Sequence, residues 1–210
     1  MKASFRLRPA AGATRKVVTS AAGSIILATL LAASLAIADV THAEAPANPD
    51  LIEQLSGVDF VPEGDALLAV ATLQEIIDIA RDEAGDTDKG LRIRAFRALG
   101  EFPSSRDLLI DEIALHSSGT GIETIYCRAA MHSLTRIADE LDLGAVIAVA
   151  NRLDHPSPDV RVAAAEGLAF IGSTAALPAL RQRLEMEVVG TQVHLAISEA
   201  IRLLTMVSSG

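Results

Sequence analysis

The clearest alternation of apolar and polar positions in the chain lies between residues 160 and 172. Four apolar residues recur there at helical intervals, namely Val160, Ala164, Leu168 and Ile171. The preceding segment, 154–159, contains two prolines and two aspartates, and such a composition favours a turn and a helix start. We therefore predict one α-helix that is capped by Asp159 at its start and ends at Gly172.

A second apolar run lies just upstream, at residues 143–153, so the two runs together predict a helical hairpin. A lone hairpin leaves one apolar face uncovered and needs neighbours to bury it. The closing helix of this hairpin aligns without gaps with three other segments, which are 91–100, 126–134 and 193–201. The equivalent residues Leu99, Leu134, Leu168 and Ile201 are then 35, 34 and 33 positions apart by subtraction.

This pattern resembles HEAT repeats, in the short form also found in phycobilisome lyase-like proteins. An aspartate in the turn, a Val-Arg pair, two small residues and a late leucine carry the resemblance, as in Asp159, Val160, Arg161, Ala163, Ala164 and Leu168. The resemblance covers roughly residues 65–206 and implies an all-α fold, an α-solenoid of about four hairpins. It also implies a ladder of polar contacts through Arg92 and Arg161, which we expect to be interrupted where Cys127 and His194 replace the arginine.

Three further predictions concern single elements. Apolar residues between 66 and 81 fall on or near one helical face, so this stretch is predicted to be one helix. Pro178 falls inside the predicted helical run 174–185, where we expect a kink and not a break. Residues 51–55 are predicted to form one helical turn, and the apolar residues after it are predicted to fold back as a lid on the first repeat, namely Val58, Phe60 and Val61.

The first 43 residues have the pattern of a secretory signal peptide. Residues 1–16 carry five basic groups and no acid, residues 17–38 are uncharged and apolar, and Thr41 and Ala43 are small residues at a cleavage site. We predict cleavage after Ala43 and export to the periplasm or the extracellular space. The alternative is an uncleaved anchor at 17–38, which is long enough to span a bilayer.

The predicted division of the chain is a signal peptide at 1–43, a linker or N-terminal cap at 44–64, and a HEAT-like repeat domain at 65–210. After cleavage, 13 basic residues remain against 26 acidic ones, a net charge of −13. Such an acidic surface repels phosphate backbones, so nucleic acid is excluded as the expected partner, and a membrane is expected only if the N-terminal segment is retained. With no Trp and one Tyr, platforms that stack bases or sugars are also disfavoured.

The sequence offers no constellation for catalysis. No two of the five histidines are spaced three or four apart, so no metal site is predicted, and no Gly-x-Ser-x-Gly nucleophile motif is present. Cys127 is interpreted as a small buried hydrophobe, and His155 as a solvated residue of a turn. We therefore expect a protein that is not an enzyme and holds no cofactor.

What remains is a surface. In α-solenoids the second helices line the concave side, and their outward residues form the usual binding face. We predict a partner-binding face from equivalent positions in the four units: Ile93, Arg97, Arg128, His132, Val162, Glu166, Leu195, Glu199 and Arg202. Mixed charges beside apolar residues suit a protein or peptide partner, although an ordinary solvated face is an equal alternative.

The function predicted from the sequence is an exported, non-enzymatic scaffold for protein–protein interaction. One alternative, implied by the resemblance, is an accessory protein that handles a cofactor in the way of lyase-like relatives. Another is the same scaffold tethered to a membrane by residues 17–38.

Overall fold

The computed structural model describes residues 48–57, 62–83 and 85–207, which fall within one compact unit over residues 46–210. These residues are helical and contain no strand, so the predicted all-α class is confirmed. The predicted signal peptide, the alternative anchor and the three lid residues lie outside the described residues. None of the helices in the described part of the chain has the length and apolarity needed to cross a membrane.

Ten α-helices occur in the described residues. They are α1 (Pro49–Leu55), α2 (Gly64–Leu68), α3 (Leu73–Arg81), α4 (Lys89–Ala98), α5 (Arg106–Leu115), α6 (Ile122–Ile137), α7 (Leu143–Ala150), α8 (Pro158–Ile171), α9 (Leu177–Leu184) and α10 (Gln192–Val207). Short 3₁₀ turns extend or precede several of them, at Leu99–Glu101, Pro103–Ser105, Asn151–Asp154 and Thr174–Ala176. From α3 onward the helices form four consecutive hairpins, as the sequence predicts.

The hairpins stack side by side in two layers. In the layer of second helices, α4 packs on α6, α6 on α8, and α8 on α10. In the layer of first helices, α5 packs on α7, and α7 contacts the 3₁₀ turn that leads into α9. This regular stacking is an α-solenoid, in which each hairpin buries the apolar face of the next.

The residues that repeat along the sequence form the core between the two layers. Three equivalent leucines and three equivalent alanines have no exposed surface, namely Leu99, Leu134, Leu168, Ala95, Ala130 and Ala164. Ile197 takes the place of the alanine in the fourth hairpin and is equally buried, whereas Ile201 is only partly buried. Because these positions share one phase of the helix, the sequence repeat becomes a repeated packing contact.

The region 66–81 differs from its prediction, because it forms two helices and not one. The chain leaves the helical path after Leu68 and starts again at Leu73. Thr72 caps the new helix: its hydroxyl accepts from the Glu75 amide at 3.3 Å, while the Glu75 carboxylate accepts from the Thr72 amide at 2.8 Å. This reciprocal capping box satisfies backbone donors that a continuous helix would have used internally.

Two helix starts also differ from their predictions. Ser157 and not Asp159 occupies the N-cap position of α8, with Pro158 first and Asp159 inside the first turn. Pro178 does not kink a helix, because it lies in the first turn of α9, where its missing N–H has no partner to lose. Gly172 ends α8 with a left-handed φ of 79°, as predicted.

Helix α1 is attached to the first hairpin. The Asn48 side chain caps α1 by accepting from the Leu51 amide at 3.2 Å, and it donates to the Val70 carbonyl at 2.8 Å. The Arg94 guanidinium of α4 donates to the Leu55 carbonyl at the end of α1. Leu51 and Leu55 are fully buried, so this segment covers apolar surface of the first repeat.

Small residues bring the second helices close together. A methyl group placed on Gly167 of α8 would lie 2.9 Å from the Thr135 methyl group of α6. A methyl group on Gly100 would lie 3.0 Å from the Ser133 Cα. The Ser133 hydroxyl donates to the Phe96 carbonyl of α4 at 2.7 Å, so the layer combines close contact with a buried hydrogen bond.

The junctions between neighbouring hairpins are also bridged by arginines. At least one ion pair crosses each junction, as shown by Arg81 with Glu112 at 2.9 Å, Arg106 with Asp142 at 2.6 Å, and Arg161 with Glu187 at 2.8 Å. The hydrogen bonds from Arg106 hold the pKa of Asp142 below its usual value. Each hairpin is therefore joined to the next by a charge-assisted contact in addition to apolar packing.

The expected polar ladder takes a different form from the one that the resemblance implies. Arg92 donates to the Ala80 and Arg81 carbonyls at the end of α3, at 3.1 and 2.9 Å. Arg161 donates to the carbonyl of His155 in its own turn at 2.9 Å. Each arginine thus satisfies free carbonyls within its hairpin, and the buried Cys127 makes no such contact in the second one.

The contact at Gly167 can be tested with a double-mutant cycle. Alanine favours a helix over glycine by about 1 kcal/mol, but overpacking costs about 1–3 kcal/mol. We expect Gly167→Ala to lower the free energy of unfolding in the wild type. In a Thr135→Ser background, which removes the opposing methyl group, the same change should raise it by up to about 1 kcal/mol. Urea denaturation of the four proteins measures the difference, and equal effects in both backgrounds would show that the contact is not tight.

Candidate functional site

A depression of about 340 Å³ lies on the layer of second helices and is open to solvent. It crosses three consecutive hairpins, because its lining comes from α4, α6 and α8. We call this surface the groove; it is lined by Ile93, Arg97, Ile125, Arg128, Ala129, Met131, His132, Thr135, Arg136, Ala163, Glu166, Gly167 and Phe170. On each helix these residues recur three or four positions apart, which places them on one face.

The floor of the groove is made of the residues that hold the helices together. Gly167 and Thr135 line it at the place where α8 and α6 come closest, and the small side chains of Ala129 and Ala163 also line it. Longer side chains around them form the walls. The depth of the groove therefore follows from the same small residues that permit close helix packing.

Five of the nine residues predicted for a partner-binding face line the groove together. They are Ile93, Arg97, Arg128, His132 and Glu166. Val162 is 9% exposed and faces the core. Leu195, Glu199 and Arg202 lie on α10, where Leu195 is exposed and the two charged residues pair with each other. The structure does not bring these three into the groove, and partner binding by the face stays a prediction.

Sequence reasoning missed the two most exposed apolar residues of the groove, Phe170 and Ile125, which are 71% and 42% exposed. Phe170 was missed because of a shift of one position in the phase assigned to α8, whereas Ile125 precedes the segment 126–134 that was aligned as a repeat. The predicted stripe ran through Val162, whereas the groove takes Ala163 and continues to Phe170. A signal was available in the sequence, because Phe170 is a large apolar residue that falls outside the repeating buried stripe.

The groove carries cations that have no ion-pair partner among the described residues. Arg97 and Arg128 are exposed, and neither side chain makes a hydrogen bond or ion pair within the described part of the chain. Arg136 differs because it pairs with Glu101 at 2.5 Å. Glu166 is the acidic residue of the lining, on the α8 side. One side of the groove is thus positive and the other carries a single carboxylate.

His132 lines the groove near Arg97 and Arg136 and is expected to be neutral at physiological pH. Partial desolvation lowers the pKa of His132, and the positive charges of Arg97 and Arg136 lower it further. A neutral imidazole can donate and accept a hydrogen bond, so His132 offers a partner polar contacts and not a further cation.

Neither a metal-binding cluster nor a cysteine occurs among the described residues that line the groove. No group of three or more His, Cys, Asp or Glu side chains in the described residues is placed to hold a metal ion. Cys127 lies beneath the surface and is fully buried, and burial raises the pKa of its thiol to about 11. A thiol in that state is a poor nucleophile at neutral pH, so the interpretation of Cys127 as a small buried hydrophobe agrees with its position.

A buried polar cluster outside the groove joins the first two hairpins. His116, at the end of α5, contacts the Glu123 carboxylate through Nδ1 and lies 3.6 Å from Glu112 through Nε2. Glu112 in turn pairs with Arg81. The Tyr126 ring packs beside the imidazole, with 5.6 Å between the two ring centroids. The two carboxylates contact opposite nitrogens of the ring, so together they favour an imidazolium and cannot chelate one ion with it.

This arrangement shifts two pKa values in opposite directions. Burial acts to lower the pKa of His116, but the carboxylates of Glu112 and Glu123 raise it above its ordinary value. Burial acts to raise the pKa of Glu112, but His116 and Arg81 lower it below its ordinary value. The cluster is therefore most stabilising when His116 is protonated and Glu112 is ionised.

His155 corrects a prediction. The sequence places it in a turn, where solvation was expected, but the structure buries it to 3% exposure. Its Nδ1 accepts from the Ser157 amide at 3.0 Å, just before α8 begins. Burial lowers the pKa of His155, and the nearby Arg152 adds to this. A neutral ring that accepts a backbone hydrogen bond acts here as part of the turn.

The His116 cluster makes stability depend on pH. The pKa of His116 is higher in the folded protein than in the unfolded chain, where it is about 6.5. Protonated His116 therefore stabilises the fold fully below the unfolded pKa, and this stabilisation is lost as the pH rises through the folded pKa. We expect His116→Gln to lower the free energy of unfolding on the order of 1 kcal/mol more at pH 6 than at pH 9. Urea denaturation at both pH values measures this. His194→Gln is the control, because His194 makes no ion pair with another described residue. An equal loss at both pH values for His116→Gln would contradict the assignment.

Comparison with family models matches residues 126–201 to the model described as HEAT repeats. The matched stretch runs from α6 into α10 and so contains the second helices of three hairpins. The resemblance to HEAT repeats is thereby confirmed, while the narrower likeness to the lyase-like form stays a prediction. No curated protein and no solved structure matches the chain.

Proposed function

We propose that this chain, whose residues 126–201 match the model described as HEAT repeats, is a non-enzymatic scaffold that docks a protein or peptide partner in the groove. HEAT repeats commonly mediate protein interactions through the extended surface that their stacked helices create. The groove lies on the layer of second helices, crosses three hairpins and combines apolar and charged side chains.

The observation that carries this proposal is the exposure of large apolar side chains beside unpaired charges. Phe170 is 71% exposed although it lies on a helix that buries most of its other apolar residues. Arg97, Arg128 and Glu166 surround the same depression without ion-pair partners in the described chain. Apolar anchors with a polar rim are typical of protein interfaces, and aromatic and arginine residues often contribute most of their binding energy.

The proposal that the protein handles a cofactor receives less support. A small-molecule site usually encloses most of its ligand and fixes it with a few convergent polar groups. The charged side chains of the groove are instead exposed, as Arg97, Arg128 and Glu166 illustrate. An open surface of this kind suits an extended partner better than an enclosed ligand.

The proposed role of the groove can be tested by selecting binding peptides. Displayed peptide libraries are enriched on the wild-type protein, and the recovered peptides are then measured against Arg97→Glu and Glu166→Arg. We expect at least tenfold weaker binding to one or both variants, about 1.4 kcal/mol. Arg181→Glu is the matched control, because Arg181 is exposed on α9 outside the groove. Peptides that bind both groove variants as tightly as the wild type would remove this surface from the proposed function.

We also propose that the scaffold acts outside the cytoplasm, since residues 1–43 have the pattern of a cleavable signal peptide. Intact mass and N-terminal sequencing of the protein from soluble and membrane envelope fractions test this. We expect a soluble species that begins at Glu44. A full-length species in the membrane fraction would instead support the anchor at 17–38, and a full-length species in the cytosol would contradict export.

A further inference from the structure

The arginines of this protein separate into two groups. Of the twelve in the described residues, nine make a side-chain hydrogen bond or ion pair, namely Arg81, Arg92, Arg94, Arg106, Arg136, Arg152, Arg161, Arg183 and Arg202. The remaining three within that part of the chain are Arg97, Arg128 and Arg181. Two of these three line the groove.

The two free cations of the groove are notable because acids are abundant. The chain has 27 acidic residues against 18 basic ones, and nine of the other ten arginines in the described residues contact a carboxylate or a carbonyl group. Arg97 of α4 and Arg128 of α6 lie on adjacent helices of the same depression. Two neighbouring guanidinium groups repel each other when both lack a counter-ion, so an added carboxylate would relieve this repulsion and gain charge-assisted hydrogen bonds.

The opposite side of the groove limits what the anion can be. Glu166 on α8 lines the same depression, and the protein as a whole carries a net charge of −9. A long polyanion would be repelled along its length both by Glu166 and by the net negative charge of the protein. A short acidic segment, in contrast, can place its carboxylates at Arg97 and Arg128 and keep clear of Glu166.

The apolar side chains of the groove set a second requirement for its occupant, in addition to negative charge. Phe170 and Ile125 line the depression and are 71% and 42% exposed. Covering them removes apolar surface from water at about 25 cal/mol per Å². A segment that carries only acids would leave this surface uncovered, whereas one that also carries a large apolar side chain would bury it.

Resting on the proposed function of the groove, we propose that its occupant is an acidic peptide segment with large apolar side chains next to its carboxylates. The carboxylates pair with Arg97 and Arg128, and the apolar side chains pack on Phe170 and Ile125. His132, which lines the same groove, is available as a neutral hydrogen-bonding group for the peptide backbone.

Three matched, fluorescein-labelled peptides of twelve residues test the inference by fluorescence anisotropy. The first alternates Asp and Glu with Leu and Phe, the second replaces the acids by Lys, and the third keeps the acids and replaces the apolar residues by Ser. We expect the first peptide to bind the wild-type protein at least tenfold more tightly than either of the others. Its binding should weaken as salt is raised from 50 to 300 mM, because the paired charges are exposed.

Variants assign the preference to the groove. Arg97→Glu with Arg128→Glu should weaken binding of the acidic apolar peptide at least tenfold and favour the lysine peptide. Phe170→Ser should weaken the first peptide and leave the serine peptide unchanged. Arg181→Glu makes the same change of charge at a single site outside the groove. It should change the affinity for the acidic apolar peptide less than twofold. Circular dichroism confirms that each variant is folded.

Two outcomes would overturn the inference. The lysine peptide could bind the wild type as tightly as the acidic apolar one, or the double arginine variant could retain the acidic preference. If the displayed libraries still yield peptides that depend on the groove, the proposed function stands and only the acidic specificity fails. If they yield none, both fail together.

Discussion

The close approach of neighbouring second helices is the constraint on which the rest of this structure depends. A glycine of α8 faces a threonine methyl group of α6 at the limit of contact, and Gly100 meets the Ser133 backbone in the same way. Larger residues at these positions would push the helices apart. The Ser133 hydroxyl would then lose its buried bond to the Phe96 carbonyl at 2.7 Å, and an unsatisfied buried carbonyl is costly.

This constraint also shapes the surface that we assign to binding. Small residues at a helix contact leave a depression in the protein surface, and the longer side chains that flank the contact form its walls. The groove is the result, with Gly167 and Thr135 in its floor and Arg97 and Phe170 among its walls. Packing and recognition therefore depend on the same helix contacts, whereas specificity depends on the flanking side chains, which are free to vary without altering the stack.

The sequence predicted the fold well because its buried apolar positions recur at a regular spacing along the chain. Leu99, Leu134 and Leu168 recur at one phase and are all buried. Periodicity thus predicted the repeated helix, and the resemblance to HEAT repeats implied the stack of about four hairpins. Single turns were harder to predict. The break before Leu73 depends on a capping box that competes with a continuous helix, and the burial of His155 depends on a turn whose path no periodicity specifies.

The site was predicted in part for a related reason. Helical spacing assigns residues to a face only to within about one position, and this error moved the predicted stripe on α8 to Val162. The positions on α4 and α6 were less affected, so Arg97, Arg128 and His132 were found. Ion pairing was not predictable, because whether an arginine finds a carboxylate depends on the stacking of hairpins that are distant in sequence.

The span of the groove has a consequence for how the solenoid unfolds. Stability in a stack of repeats is approximately a sum of contributions from each unit and its nearest neighbours, so the ends can open while the centre stays folded. The groove takes side chains from α4, α6 and α8, and none of its lining comes from α10. An occupant would thus raise the cost of opening the first three hairpins together and leave the cost of opening the fourth unchanged.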